Sequence, residues 1–209
     1  FWVASLLTAC GNDHASIANS IDSDTNGHTA PTAATVNSNQ QVIQQLPFNN
    51  QQDFIDANRG LIASPESLVI NNAAGEPVWN MDEYNFINYP INKNQELDSK
   101  NSEGQGIENQ GIEQQAPGSV NPSLWRQASL NNIHGLFKVS ESIYQLRGFD
   151  LANMTLIEGK TGWIVVDPLT AKETSKVAFD FAQQHLGNKP ITAILFTHSH
   201  IDHFGGALG

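Results

Sequence analysis

An α/β fold is predicted for the C-terminal part of this chain, and three observations predict it. After Leu130 the sequence offers four β-prone stretches, one helical stretch and one apolar strand, in that order. The last strand, "ITAILF" (Ile191–Phe196), runs straight into "THSHIDHFGG" (Thr197–Gly206). The residues best suited to chemistry therefore lie in a loop at a strand's C-terminal end, where α/β folds place their sites. Composition shifts as well. The first 132 residues hold 14 acidic and 4 basic side chains and 32 Asn or Gln, whereas the last 77 hold 7, 6 and 5. A length of 209 residues allows one domain, or one domain with a tail. The net charge of −11 sits almost wholly in the first part, and no basic stripe is present to meet a nucleic acid.

Taken in order, the chain opens with "FWVASLLTAC". The apolar run Phe1–Leu7 is too short to span a bilayer, and small residues follow it before Cys10, the single cysteine. Residues 1–10 read as the end of a secretory signal. "LTAC" (Leu7–Cys10) resembles a bacterial lipobox, which implies a lipidated Cys10, a membrane anchor, and export as a periplasmic or outer-membrane lipoprotein. One cysteine allows no internal disulfide. Residues 11–45, rich in Ser, Thr, Asn and Ala, are expected to form a disordered tether. Residues 46–118 read as a small N-terminal segment. In "NNQQDFIDANRGLIAS" Phe54, Ala57 and Leu61 share a helical face, and "LVINNAAGEPVW" reads as a hairpin around a Gly-containing turn. Residues 93–118 turn polar, and "QGIEN" followed by "QGIEQ" (residues 105–114) makes a tandem repeat expected to be a low-complexity insertion without chemistry.

Regular structure is expected to begin near Leu130, within the segment 119–209. "GLFKVSESIYQLRG" suggests two strands around Ser140–Ser142, and "NMTLIEG" and "GWIVVD" two more, joined by the turn at Gly159–Gly162. "TAKETSKVAFDFAQQHLG" (Thr170–Gly187) has Val177 and Phe181 at helical spacing and Gly187 as its stop. "ITAILF" is wholly apolar, as expected of a strand inside a sheet covered on both faces.

The loop that follows has the spacing His198-x-His200-x-Asp202-His203. In an extended segment positions i and i+2 point the same way, so His198 and His200 can address one metal ion from one side. Asp202 and His203 come just past the turn and can address a second position, while Gly205 and Gly206 let the backbone bend closely. Imidazole and carboxylate together favour zinc, with iron or manganese as alternatives. Two such metals, about 3.5–4 Å apart, would activate a water and clamp an oxyanion. One histidine alone is usually a surface or satisfied core residue; three with an aspartate in six positions are not explained that way. His14, His28 and His185 are expected to be solvated, and His134 to hydrogen-bond.

The motif resembles the Thr-His-x-His-x-Asp-His signature of the metallo-β-lactamase superfamily. Longer stretches, "PSLWRQ", "NNIHGLF", "RGFDLANMT" and "GWIVVDPLT", resemble the alkyl sulfatases of that superfamily, as do "QQDFIDANRGLIAS" and "VWNMDEYNFI". The resemblance spans roughly residues 48–91 and 119–209 and fails over the tether and the repeat. It implies the first half of an αββα sandwich over 119–209. It also implies two zinc ions per active site, one bound by His198 and His200 and the other involving Asp202 and His203, with metal-bound Asp202 in the catalytic group. Asp167 matches an early aspartate of the superfamily and is expected either to orient the histidine loop or simply to end its strand. Arg147 and Asn153 flank "GFDLA" and are candidate substrate contacts, unless Arg147 forms a buried ion pair.

The implied reaction is hydrolysis of an alkyl sulfate ester such as dodecyl sulfate to alcohol and sulfate, in a protein that is a homodimer when intact. Two readings compete with it. One is another hydrolase of the superfamily, acting on a lactam, thioester or lactone; the other is a lipid-anchored metal- or surfactant-binding protein without turnover. Four ligand side chains do not complete two zinc coordination spheres. The chain is therefore expected to be a fragment, inactive alone, that binds zinc weakly and exposes sheet surface.

Overall fold

The computed structural model describes residues 30–48, 50–87 and 116–209. The signal segment with Cys10, the tether as far as residue 29 with His14 and His28, and the repeat at 105–114 lie outside the described residues.

The first helix, α1 (Ala33–Gln45), stands where a disordered tether is expected, and corrects that expectation for these residues. The Thr32 hydroxyl caps it by accepting from Thr35 N at 3.2 Å, and its Ala and Gln residues are good helix formers. It buries none of its own residues and is tied down by Asn39 Nδ2 donating to Gly118 O at 2.7 Å. Low hydrophobicity excludes a core here but not a capped surface helix. Helix α2 (Gln52–Asn58) forms as expected with Phe54 buried, but Leu61 has left the helix. It belongs to β1 (Leu61–Ala63), which pairs with β4 (Gly135–Ser140). The hairpin of β2 (Val69–Asn71) and β3 (Pro77–Asn80) matches its reading, and a 3-10 turn, Met81–Ile87, follows. Helix α3 (Pro122–Asn131) lies ahead of the point where regular structure is expected to begin. Its start is nonetheless written plainly: Asn121 Oδ1 accepts from Ser123 N at 2.9 Å, and Pro122 follows in the first turn.

Strands β5 (Ile143–Arg147), β6 (Met154–Glu158) and β7 (Trp163–Val166) continue antiparallel from β4. Helix α4 (Lys172–Leu186) then carries the chain back to β8 (Ile191–Leu195), parallel to β7, giving the sheet order β1-β4-β5-β6-β7-β8. The helix is needed because a parallel neighbour cannot be reached by a tight turn. One face of the sheet makes the core. Registered rows run Leu136–Leu146–Met154 and Tyr144–Leu156–Val165–Ile194, and Ala178 and Ala182 of α4 join Leu68, Ile70 and Trp79 of the hairpin region in covering them.

β8 is the outer strand of the described sheet, with Ile191 42% and Leu195 51% exposed, which matches the expectation that the chain exposes sheet surface. An apolar run reports a preference for burial, and only Ile194, facing Val165, packs against the core cluster here.

The hairpin is fastened to the turn after it by Asp82, whose carboxylate accepts from Leu68 N at 2.9 Å and from Ser67 Oγ at 2.5 Å. The Leu68 amide first, then the Ser67 hydroxyl, hold the Asp82 carboxyl below its usual range. A depressed folded-state value means stability that is present above the unfolded pKa, about 3.9, and lost as pH falls through the folded one. Asp82→Asn is therefore expected to flatten the acid limb of the stability curve below about pH 4. Urea unfolding between neutral and acid pH checks this, and parallel curves for the two proteins would contradict it.

Candidate metal centre

Strands β7 and β8 end side by side, and their next residues build the site. The Asp167 amide donates to Leu195 O at 2.9 Å, extending the pairing by one residue. Asp167 then turns into the left-handed region, with φ 55°, and Leu169 does so as well, with φ 67°. For residues other than glycine each such turn costs roughly 1–2 kcal/mol. Leu169 is fully buried, which is worth roughly 1.5–3 kcal/mol and offsets its strain. Asp167 is held instead by polar bonds. Its Oδ1 accepts from Thr197 N at 2.8 Å, and its Oδ2 from Thr197 Oγ1 at 2.6 Å and His203 Nδ1 at 2.8 Å. Burial pushes the Asp167 carboxyl up, but the Thr197 hydroxyl and amide and His203 together outweigh it and keep it below the usual carboxylate range. One ionised group thus grips the histidine loop both where it begins and at its last histidine.

This grip orders protons through the cluster. An ionised carboxylate only accepts, so the single Thr197 hydroxyl proton goes to Asp167, and Thr197 Oγ1 accepts from His198 Nδ1 at 2.9 Å. His198 Nε2 then carries a lone pair, which His200 Nδ1 meets as donor at 3.2 Å. His203, donating through Nδ1 to Asp167, likewise keeps its lone pair on Nε2, and that atom faces Asp202 Oδ2 at 3.2 Å. A ring lone pair and a carboxylate oxygen at this distance repel unless a proton or another cation lies between them. The donors fit a divalent metal in chemistry: three imidazoles with Nε2 lone pairs, one carboxylate, and a second carboxylate fixing the far side of a ring.

The His198 ring lies 4.7 Å from His200 and 4.0 Å from His203, centroid to centroid, so the three rings form one cluster. Among the described residues no three His, Cys, Asp or Glu side chains already surround a common point at metal-binding distance. The loop leaves through Gly205 and Gly206, where side chains have no room. A Cβ on Gly205 would stand 2.2 Å from Thr170 O, and one on Gly206 2.1 Å from Pro168 O.

Arg147 and Asn153 are placed elsewhere. Both line a cavity of about 880 Å³ with Trp79, Tyr84, Ile133 and Leu151, to which the histidine loop contributes no wall. Arg147 makes no ion pair among the described residues. Its Nε donates to Gln145 Oε1 at 2.7 Å, its guanidinium lies 4.2 Å from the centroid of the Phe137 ring, and burial lowers its pKa. His134 Nδ1 bonds Asn132 O at 2.9 Å and His185 is exposed at the end of α4, both away from the cluster. Sequence reasoning assigned no role to Thr197, although it stands next to His198 in the motif, and none to Asp150, Thr170 or Thr174. Asp150 lies in the stretch "RGFDLANMT" that resembles the alkyl sulfatases, and that match is the signal pointing to it.

Similarity to known proteins agrees with this geometry. The metallo-β-lactamase superfamily model matches residues 147–209, the part that holds β6 to β8 and the whole histidine loop. The chain is 45% identical over 178 residues to an (R)-specific secondary-alkylsulfatase of Pseudomonas sp, covering 85% of this chain and 23% of that protein. It is 39% identical to a linear primary-alkylsulfatase of Pseudomonas sp, with the same coverage of both chains. With the alkyl/aryl-sulfatase BDS1 of Saccharomyces cerevisiae the identity is 38%, covering 84% of this chain and 24% of that one. The structure superposes on the stereoselective inverting sec-alkylsulfatase Pisa1 from Pseudomonas sp. with a TM-score of 0.68 and 44% identity, over 90% of this chain and 25% of that one. The chain thus spans about a quarter of the length of the relatives it matches. Over that quarter it is similar to alkylsulfatases, and its residues 147–209 match the metallo-β-lactamase superfamily model.

Proposed function

We propose that this chain carries part of a zinc-dependent alkylsulfatase that hydrolyses R–O–SO3⁻ to alcohol and inorganic sulfate. The observation that carries the reading is the histidine loop gripped by Asp167, in a chain similar to alkylsulfatases. His198, His200, Asp202 and His203 would hold the metal, zinc being favoured by a nitrogen-rich donor set with one carboxylate. Two ions per site follow the resemblance to the family. When bound, the metal supplies Lewis acidity, neutralising sulfate charge and lowering the pKa of a water. The chain's own residues do the rest. Asp167 fixes which nitrogen of His203 carries the proton, and Thr197 passes that order to His198 and on to His200.

Arg147 and Asn153 are proposed as contacts for the anionic ester. The support is a cationic guanidinium without a carboxylate partner among the described residues, on a cavity that also has Arg126 and the apolar Trp79, Ile133 and Leu151 in its wall, beside the acids Asp53, Asp56 and Asp150. Cys10 is proposed as the lipid-anchored residue of an exported protein, on the strength of "LTAC", and a homodimer on the family resemblance. Cys10→Ser is expected to abolish incorporation of labelled fatty acid; labelling that persists would remove the anchor from the reading.

Sulfate release from dodecyl sulfate by the full-length protein, before and after chelation, tests the activity. Release that chelation stops and zinc restores is the expected result. Bound zinc with no release would keep the metal site and discard the substrate. Asp167→Asn presents a donor where Thr197 and His203 also donate, so zinc affinity is expected to fall about 10–100-fold. Competition against a chromophoric chelator measures it, and an unchanged affinity would remove Asp167 from the site.

A further inference from the structure

A second buried carboxylate, Asp150, is more fully bonded than Asp167 and has no part in the reading above. It lies in the loop between β5 and β6, with 7% of its surface exposed. Its Oδ1 accepts from Leu151 N and from Thr170 Oγ1, each at 2.6 Å. Its Oδ2 accepts from Thr170 N at 3.0 Å and from the Thr174 hydroxyl. Four donors engage both oxygens, so the side chain is bound to one geometry.

The donors are placed where they matter. Thr170 and Thr174 bracket the start of α4, whose N-cap residue, Ala171, has no side-chain acceptor of its own. Within the helix start Thr174 Oγ1 accepts from Ala171 N at 3.3 Å, and Asp150 adds a tie from outside the helix through Thr170 and Thr174. The same stretch, Asp167–Ala171, is the bed on which the histidine loop lies. Leu169 O accepts from Gly206 N at 2.9 Å, and a Cβ on Gly206 would meet Pro168 O at 2.1 Å and Ala171 O at 2.7 Å. Two of the five bed residues are in left-handed conformations that side chains disfavour, so the bed keeps its shape only under restraint. Asp167 restrains its first residue through Thr197 and His203, and Asp150 restrains its far end through Thr170 and Thr174.

We propose that Asp150 is a positioning residue for the histidine loop: by fixing Thr170 and Thr174 it holds the bed under Gly205 and Gly206, and so sets how firmly His198, His200, Asp202 and His203 are presented to a metal. The part concerning metal rests on the reading of the loop as a metal centre. The part concerning the loop's position does not.

The test uses the full-length protein as wild type, Asp150→Asn, Thr174→Val and Ile70→Ala. Ile70 is a buried residue of β2 in the core cluster, and its truncation serves as a destabilised control. Amide hydrogen exchange is followed in metal-free protein, and zinc affinity by chelator competition. Asp150→Asn is expected to speed exchange at Gly206 and Thr197 about tenfold while the amides of Leu156 and Val165 in the sheet stay within about twofold. It is also expected to weaken zinc about tenfold or more. Thr174→Val removes one donor of four and should move both readouts the same way by less, which covers the case in which Asp150→Asn does not fold. Ile70→Ala should lower the melting temperature yet leave Gly206 exchange and zinc affinity near wild type.

Gly206 exchange unchanged in the folded variants would overturn the proposal. So would a zinc loss in Ile70→Ala as large as in Asp150→Asn, because affinity would then follow stability alone. A wild-type protein that takes up no zinc, with Gly206 exchange still sensitive to Asp150, would refute the metal reading and leave the positioning role standing.

Discussion

The site depends on one ionised side chain at the end of β7. Asp167 can accept hydrogen bonds and cannot donate them, and this one-way character propagates. It takes the only proton the Thr197 hydroxyl can give, which turns that hydroxyl toward His198 as an acceptor. The order of donors and acceptors along the loop follows from there without further choices. Burial alone would favour a neutral acid at this position, and a neutral acid would leave the tautomers unassigned. The hydrogen bonds from Thr197 and His203 decide the contest in favour of the anion.

The backbone conformation that places Asp167 is unfavourable in isolation, and its neighbours show how such a conformation survives. Leu169 is strained in the same sense and is secured by apolar burial; Asp167 is secured by three polar contacts. The two devices have different consequences. Apolar burial is indifferent to protonation and salt, whereas polar anchoring transmits information about charge to whatever it holds. The segment thus has a passive anchor facing the core and a responsive one facing the loop.

Much of this was legible in the residues. Strands β4 to β7 show alternating or apolar stretches punctuated by Gly and Ser, and α4 shows helical spacing that stops at Gly187. The histidine loop announces itself through ligand density. The rest was less legible for identifiable reasons. Helix α1 has no apolar face, so periodicity is silent, and only its Thr32 cap marks it. Strand β1 is three residues long and exists because β4 offers it a partner, a fact no local window contains. Helix α3 has a readable start at Asn121–Pro122, but its mixed polarity conceals its length. The work of Asp150 is non-local, reaching Thr174 across 24 positions of chain, and a single acid gives no pattern from which to infer four donors.

The parallel pairing of β7 with β8 separates two properties that usually vary together. The spacing between Asp167 and Thr197 is dictated by neighbouring strands and by the Asp167–Leu195 hydrogen bond that continues their ladder. It does not depend on the twenty-odd residues of α4 and its connections that join them. The crossover is free to grow, shrink or change its outer surface, provided it returns β8 in register and keeps its first turn. Divergence in this stretch of the chain should therefore gather on the solvent side of α4 and in the connection after it. The two strand ends tolerate no change in length, because a single inserted residue there would turn Thr197 away from the carboxylate that orders the loop.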